Sequence, residues 1–154
     1  MEYQSAAADA SRLLDRYLIS LDDQRLDDGW AKSLFTDDAL VEFPMSRHRG
    51  LAGMADWHRA ALSAFSGTQH LGSPAVVDRP DDDGGGAPDR LLLRANLVST
   101  HVHHAPAAGE PVFAVGTFVD GEARRTPDGW RLAALRFRTV WMTGTPPPPS
   151  GGQR

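Results

Sequence analysis

An α+β fold, with three helices packed against a strongly curved mixed or antiparallel sheet, is predicted by three features of the chain. Apolar residues recur at helical spacing as far as Phe65. After Gly67 the pattern changes to extended segments separated by turn residues. Strands and helices do not alternate, which argues against a parallel βαβ sheet. A sheet that curls around helices leaves a cone-shaped space, and polar residues facing that space acquire interest.

Each element has its own signal. Leu14, Leu18 and Leu21, with Tyr17 beside them, predict a first helix over about residues 6–22. Leu26, Trp30 and Leu34 predict a shorter second one. Thr36-Asp37-Asp38 reads as a turn before a strand at about 40–43. A third helix is predicted over 51–65, with Met54, Trp57, His58, Ala61, Leu62 and Phe65 on one side. Residues 68–71 and 75–77 are short strands broken by Gly72 and Pro74. The Asp81-to-Gly86 run is too charged and glycine-rich to bury, so it forms a solvated hairpin loop. Residues 91–103, 112–120 and 130–142 complete the strands, the last two joined by a turn at Thr126-Pro127-Asp128-Gly129. One domain is expected over 1–144, followed by a Pro/Gly-rich tail, 145–154, that is extended or disordered.

Composition narrows the function. The net charge is −4, and the arginines are interleaved with acids along the chain. A nucleic-acid binder shows a basic stripe, so nucleic acid is not an expected partner. No run approaches the roughly 20 apolar residues of a membrane span, and the start lacks the pattern of a signal peptide. The chain has no cysteine, which removes disulfides, thiolate nucleophiles and Cys-based zinc sites, and suits the cytoplasm.

Asp22, His70 and His101 stand out as polar residues in otherwise apolar surroundings. Asp22 lies roughly 40° from Leu18 on the helical wheel, at the margin of the apolar stripe, whereas Asp23 falls on the water side. The alternative for Asp22 is a solvated helix end. His70 shares a strand face with Thr68, and a carboxylate hydrogen-bonded to one ring nitrogen would fix its tautomer and raise its basicity. Leu91, Leu93, Ala95, Leu97, Ser99, His101 and His103 share one face by parity, an apolar row that becomes polar near its end. His101 and His103, about 7 Å apart, also have the spacing of two metal ligands on one strand. No later histidine completes such a set, and the expectation is a site with neither metal nor cofactor. Trp30, Trp57, Phe118 and Trp141, with His58 and His103, are the candidate substrate-contacting residues.

Several fragments together resemble the SnoaL-like branch of the NTF2-like superfamily. They are Tyr17-x4-Asp22, Leu34-Phe35-Thr36-Asp37-Asp38-Ala39, Thr68-Gln69-His70, Phe118-Val119-Asp120, Arg125-Thr126-x-Asp128-Gly129-Trp130-Arg131-Leu132 and Trp141-x-x-Gly144. The resemblance implies a cone-like α+β barrel, commonly a homodimer. Its members include scytalone dehydratase, bile-acid 7α-dehydratase, polyketide cyclases, limonene epoxide hydrolase and ketosteroid isomerase relatives, and some non-catalytic subunits. In the dehydratase-like members a tyrosine and an aspartate on the first helix work with a histidine after the third. Tyr17, Asp22 and His70 occupy those positions, and a second strand histidine corresponds to His101 or His103.

The expected function is therefore a cofactor-free dehydratase, cyclase or isomerase acting on a polyketide-like aromatic or polycyclic molecule. His70, oriented by Asp22, would take the proton α to a carbonyl. Tyr17, with His101 or a water held by it, would hydrogen-bond the developing enolate oxygen. A non-catalytic binding or partner module is the main alternative. A metal enzyme using His101 and His103, or an epoxide hydrolase, ranks lower.

Overall fold

The computed structural model describes residues 2–82, 84–105 and 109–148. The first helix, α1 (Glu2–Asp23), begins a turn earlier than its apolar spacing indicated. It buries Ala6, Ala10, Leu13, Leu14, Tyr17, Leu18 and Leu21, an i, i+3/i+4 series on a single side. α2 (Asp28–Leu34) starts at Asp27, whose carboxylate accepts the Trp30 N–H at 2.7 Å, an ordinary N-cap. α3 (Met54–Leu62) is shorter than predicted. Phe65 fits the helical spacing but opens the next strand and is buried against the sheet.

The strands are β1 (Phe35–Glu42), β2 (Arg47–Arg49), β3 (Phe65–Gly72), β4 (Val76–Asp78), β5 (Arg90–His103), β6 (Val112–Thr126) and β7 (Gly129–Thr143). Thr36-Asp37-Asp38 lies inside β1 and is not a separate turn. A register irregularity between Phe35 and Leu40 accommodates it, and the Thr36 hydroxyl donates to Asp38. β2 carries no sequence signal and was not anticipated. The sheet runs β2-β1-β7-β6-β5-β3, with β4 also paired to β5. Every pairing is antiparallel except β1 with β7, so the sheet is mixed.

The sheet is strongly curved but does not close. β2 and β3 remain as edges among the described residues, so the predicted cone-shaped barrel is an open, curved sheet wrapped over helices. On β5 the parity reading holds: Leu91, Leu93, Ala95, Leu97 and Ser99 are buried, while Leu92, Arg94, Asn96 and Val98 are exposed. Residues 145–148 carry no regular structure, and the remainder of the predicted tail lies outside the described residues. The 81–86 loop is described except at 83 and is exposed throughout those residues. No helix among the described residues is long and apolar enough to cross a membrane.

Tyr17 and His58 sit at the centre of the core. Both are fully buried, and the Tyr17 hydroxyl lies 2.9 Å from His58 Nε2. Trp30, Phe35 and Phe137 surround the tyrosine ring, with centroids 5.8–6.3 Å away. His58 Nδ1 faces the Met54 carbonyl at 2.8 Å. A carbonyl only accepts, so Nδ1 carries the proton and Tyr17 donates to the Nε2 lone pair. Burial pushes the tyrosine pKa up and, as the largest cause, lowers that of His58 to about 4 from the usual 6.5.

The unfolded chain therefore binds more protons than the folded one between pH 6.5 and about 4. His58 contributes its full share of stability above that window and loses it as the pH falls through it, by about 3 kcal/mol at the acid end. Urea unfolding at stepped pH should show a shallower acid limb for a Tyr17→Phe, His58→Leu double variant. Superimposable limbs would exclude His58 from the acid response.

Candidate active site

Asp22 lies in the last turn of α1, half-buried, while Asp23 is exposed. The helix reaches β3 closely because Gly72 has no side chain: a Cβ there would stand 2.7 Å from the tip of Leu18. β3 is an edge strand, so one row of its backbone groups lacks a strand partner. Asp22 takes up part of that deficit. Its Oδ2 accepts the backbone N–H of His70 at 2.8 Å, and its Oδ1 accepts both His70 Nδ1–H at 2.7 Å and the Thr68 hydroxyl at 2.9 Å. The two side chains are 22% and 8% exposed, respectively, for Asp22 and His70. The carboxylate thus holds both the strand and the ring.

This arrangement fixes the imidazole tautomer. With Nδ1 protonated and held by Asp22, the lone pair of His70 sits on Nε2. Nε2 has no partner among the described residues. Nor is it sealed, since no ring nitrogen of His70 is both fully buried and without a hydrogen bond. An anchored, carboxylate-backed imidazole with a free lone pair has what a general base requires.

His101 stands beside it, its ring centroid 6.0 Å from that of His70 and nearly perpendicular. Phe65 and Phe113 flank it at 4.5 and 5.2 Å, and its Nδ1–H donates to the Phe113 carbonyl at 3.0 Å. Burial, chiefly, lowers its pKa and keeps it neutral. A neutral ring protonated at Nδ1 accepts at Nε2, so His101 cannot itself donate to an enolate oxygen. A water held by it still can.

The remaining candidates fall elsewhere. Tyr17 carries the expected motif position, yet its hydroxyl is committed to His58 and has no exposed surface, so it is not presented to a substrate. His58 is a core residue and does not stand at a pocket edge. Trp30 packs in the same cluster and donates its indole N–H to Ser20. Trp57 stacks on Phe43 and His48. The His103 ring lies 5.8 Å from Phe65, and its Nε2–H donates to the Thr145 carbonyl at 2.7 Å. Among the described residues no group of three or more His, Cys, Asp or Glu could hold a metal ion.

Phe118 and Trp141 lie on the outer face of the sheet, away from the dyad. Phe118 is registered against Asn96 and Arg138, opposite in direction to buried Val119, and sits between the guanidinium groups of Arg94 and Arg138. Trp141 covers Gly116, whose missing Cβ would fall 2.0 Å from the indole nitrogen. Gly116 is in register with exposed Val98, which identifies the face. The cause is a bulge. Thr139 pairs with Thr117 but Trp141 with Gly116, so one extra residue in β7, Val140, reverses the parity after Thr139.

Sequence reasoning missed two inward hydroxyls. Ser99 and Thr117 are 7% and 8% exposed and share the inner face with His70 and His101. Ser99 was visible as the polar break in an apolar row; Thr117 had no such signal. The Thr68–Asp22 bond was also not foreseen. Two surface concavities, of about 550 Å³ beside the first half of α1 and about 530 Å³ beside Phe43, include neither Asp22 nor His70. Neither assembles a base with an oriented partner, so the dyad is the stronger site.

Comparison with known proteins agrees with this architecture. A protein from Kribbella flavida, Kfla4162, superposes with a TM-score of 0.79 at 26% identity, over 92% of this chain and 95% of that one. A hexachlorocyclohexane dehydrochlorinase, LinA type 2, gives 0.78 at 17% identity over 97% of each chain. A Novosphingobium aromaticivorans protein provisionally named a scytalone dehydratase gives 0.71 at 18% identity, over 93% of this chain and 91% of that one. No curated protein sequence matches significantly. The SnoaL-like domain model matches residues 4–136. With that match across most of its length, the chain belongs to the SnoaL-like domain family, and its fold is that of an NTF2-like protein from Salmonella enterica, which superposes with a TM-score of 0.73 at 15% identity over 99% of each chain.

Proposed function

We propose that the protein is a cofactor-independent acid–base lyase or cyclase acting on an enolisable aromatic or polycyclic small molecule of polyketide type. The observation that carries the reading is the Asp22–His70 pair, in which the carboxylate orients the ring and the lone pair on Nε2 is left free. Two of the structural neighbours are named for eliminations, one of water and one of hydrogen chloride. A chain without cysteine fits work in a reducing cytoplasm.

In this reading His70 Nε2 removes a proton from the carbon next to a carbonyl, and the C–H electron pair moves into the enolate. Asp22 stabilises the imidazolium that forms. In a β-hydroxy ketone the enolate then reforms the carbonyl and expels the hydroxyl. The proton on His70 leaves with it, so the products are an enone and water. If a second carbonyl lies within reach, the enolate carbon attacks it instead, and the new alkoxide takes the proton. The same apparatus serves both outcomes, and the shape of the substrate selects between them. General-base catalysis of this kind contributes typically about 10²–10⁴-fold.

Homodimerisation belongs to the same proposal. Val98, Val102, Val112 and Trp141 expose apolar surface on the outer face of the sheet, where a second copy would cover them.

Dehydration of 3-hydroxy-1-tetralone to 1-naphthol, followed by fluorescence, and α-hydrogen exchange of 2-tetralone in D2O, followed by NMR, both test the base. His70→Ala should slow them by about 10²-fold or more with the fold intact by circular dichroism. Wild-type rates in that variant would reject the assignment and favour a binding module. Asp22→Asn should lower the rate and also cost about 1–3 kcal/mol of stability, because one of the two accepting oxygens becomes an NH2 donor and at least one of the three donors loses its acceptor. For the dimer, light scattering of a Val102→Asp, Trp141→Asp variant should report the mass of one chain where the native protein reports two. Equal masses would remove this face from the contact.

A further inference from the structure

The base described above generates negative charge on a substrate oxygen, and the nearby side chains (Tyr17 and His101, which the sequence suggested, and Thr68 beside His70) cannot donate to it directly. Tyr17 gives its proton to His58, Thr68 gives its own to Asp22, and His101 carries no proton on its free nitrogen. The inner face nevertheless holds two hydroxyls without an assigned role, Ser99 and Thr117.

We propose that the Ser99 hydroxyl is the hydrogen-bond donor to the oxygen that becomes negatively charged, and that the site is therefore built for a carbonyl compound. This rests on His70 acting as the base. Ser99 is directly opposite His70 in the β3–β5 register, on the same face, which places their Cβ atoms about 4.5–5.5 Å apart. Its oxygen makes no hydrogen bond among the described residues, although the residue is buried. It is also absent from the sealed atoms, so it borders open space. A buried strand hydroxyl ordinarily finds a partner; this one is left with a proton to give, beside the lone pair that takes one.

The geometry matches one functional group. In a ketone the acidic carbon and the oxygen that collects its charge are separated by a single carbon, so neighbouring side chains serve both atoms. Thr117 sits one step further, diagonal to Ser99 across Val115, and is placed for a second polar group of the substrate. A polychlorinated ring offers no oxygen to either hydroxyl. The chain thus differs in chemical preference from a dehydrochlorinase of the same fold.

Binding of 2-naphthol provides a test that does not depend on turnover, since its absorbance and fluorescence report whether the bound form is ionised. The native protein should prefer the naphtholate, lowering the probe's apparent pKa. Ser99→Ala should reduce that preference by roughly tenfold to a hundredfold, while affinity for naphthalene is unchanged. Ser99→Thr, which keeps the hydroxyl, should restore it. In 2-tetralone exchange, Ser99→Ala should lower kcat on the order of 10²-fold with KM altered less than about threefold. A native site with no preference for the ionised probe overturns the proposal, as does a Ser99→Ala protein that retains the preference. Equal losses for naphthalene and naphtholate would assign Ser99 to packing and overturn it too. His70→Ala separates the two ideas: it should stop exchange yet keep the naphtholate preference. Exchange that continues in that variant defeats the base, whatever the probe shows.

Discussion

Asp22 accepts three hydrogen bonds, all from β3, and each fixes something different. The bond from the His70 amide fastens the last turn of α1 to the backbone of β3. The bond from the Thr68 hydroxyl fixes the carboxylate in one rotamer. The bond from the His70 ring sets which nitrogen keeps its lone pair. Close approach of helix and strand is permitted by Gly72, and the buried leucines of α1 hold the helix in place. Removing the carboxylate would leave an amide, a hydroxyl and an imidazole N–H without an acceptor in half-buried surroundings, each at a cost of the order of 1–3 kcal/mol.

Three histidines share one tautomer and differ in what meets each ring nitrogen. His58, His70 and His101 all donate from Nδ1, to the Met54 carbonyl, the Asp22 carboxylate and the Phe113 carbonyl respectively. At His58 the other nitrogen is occupied by Tyr17, so the ring is a structural acceptor in the core. At His70 and His101 it meets no partner among the described residues. Of these two, only His70 has a charged partner to stabilise an added proton; His101 faces a neutral carbonyl between two phenylalanines. Environment, not residue type, separates the proposed base from its neighbour.

Much of this was legible in the chain. The margin position of Asp22 follows from helical geometry, and the alternation on β5 from strand geometry, because both depend on local periodicity. The unreadable parts depend on contacts distant in sequence or on a single inserted residue. Tyr17 sits at the position that the family resemblance marks for chemistry, yet His58, forty-one residues away, claims its hydroxyl. Trp141 changes face because β7 carries an extra residue, Val140, just before it. Phe65 continues the apolar spacing of α3 but belongs to a strand, since short apolar runs do not distinguish the two.

The amide of His70 points out from a strand that ends the sheet, and Asp22 occupies it. Exposed edges invite strands from other molecules to add on, a route to aggregation. At this point of β3 an incoming chain would meet a carboxylate and a helix end instead of an unpaired donor. The group that orients the imidazole thereby also guards the protein against growth into a continuous ribbon.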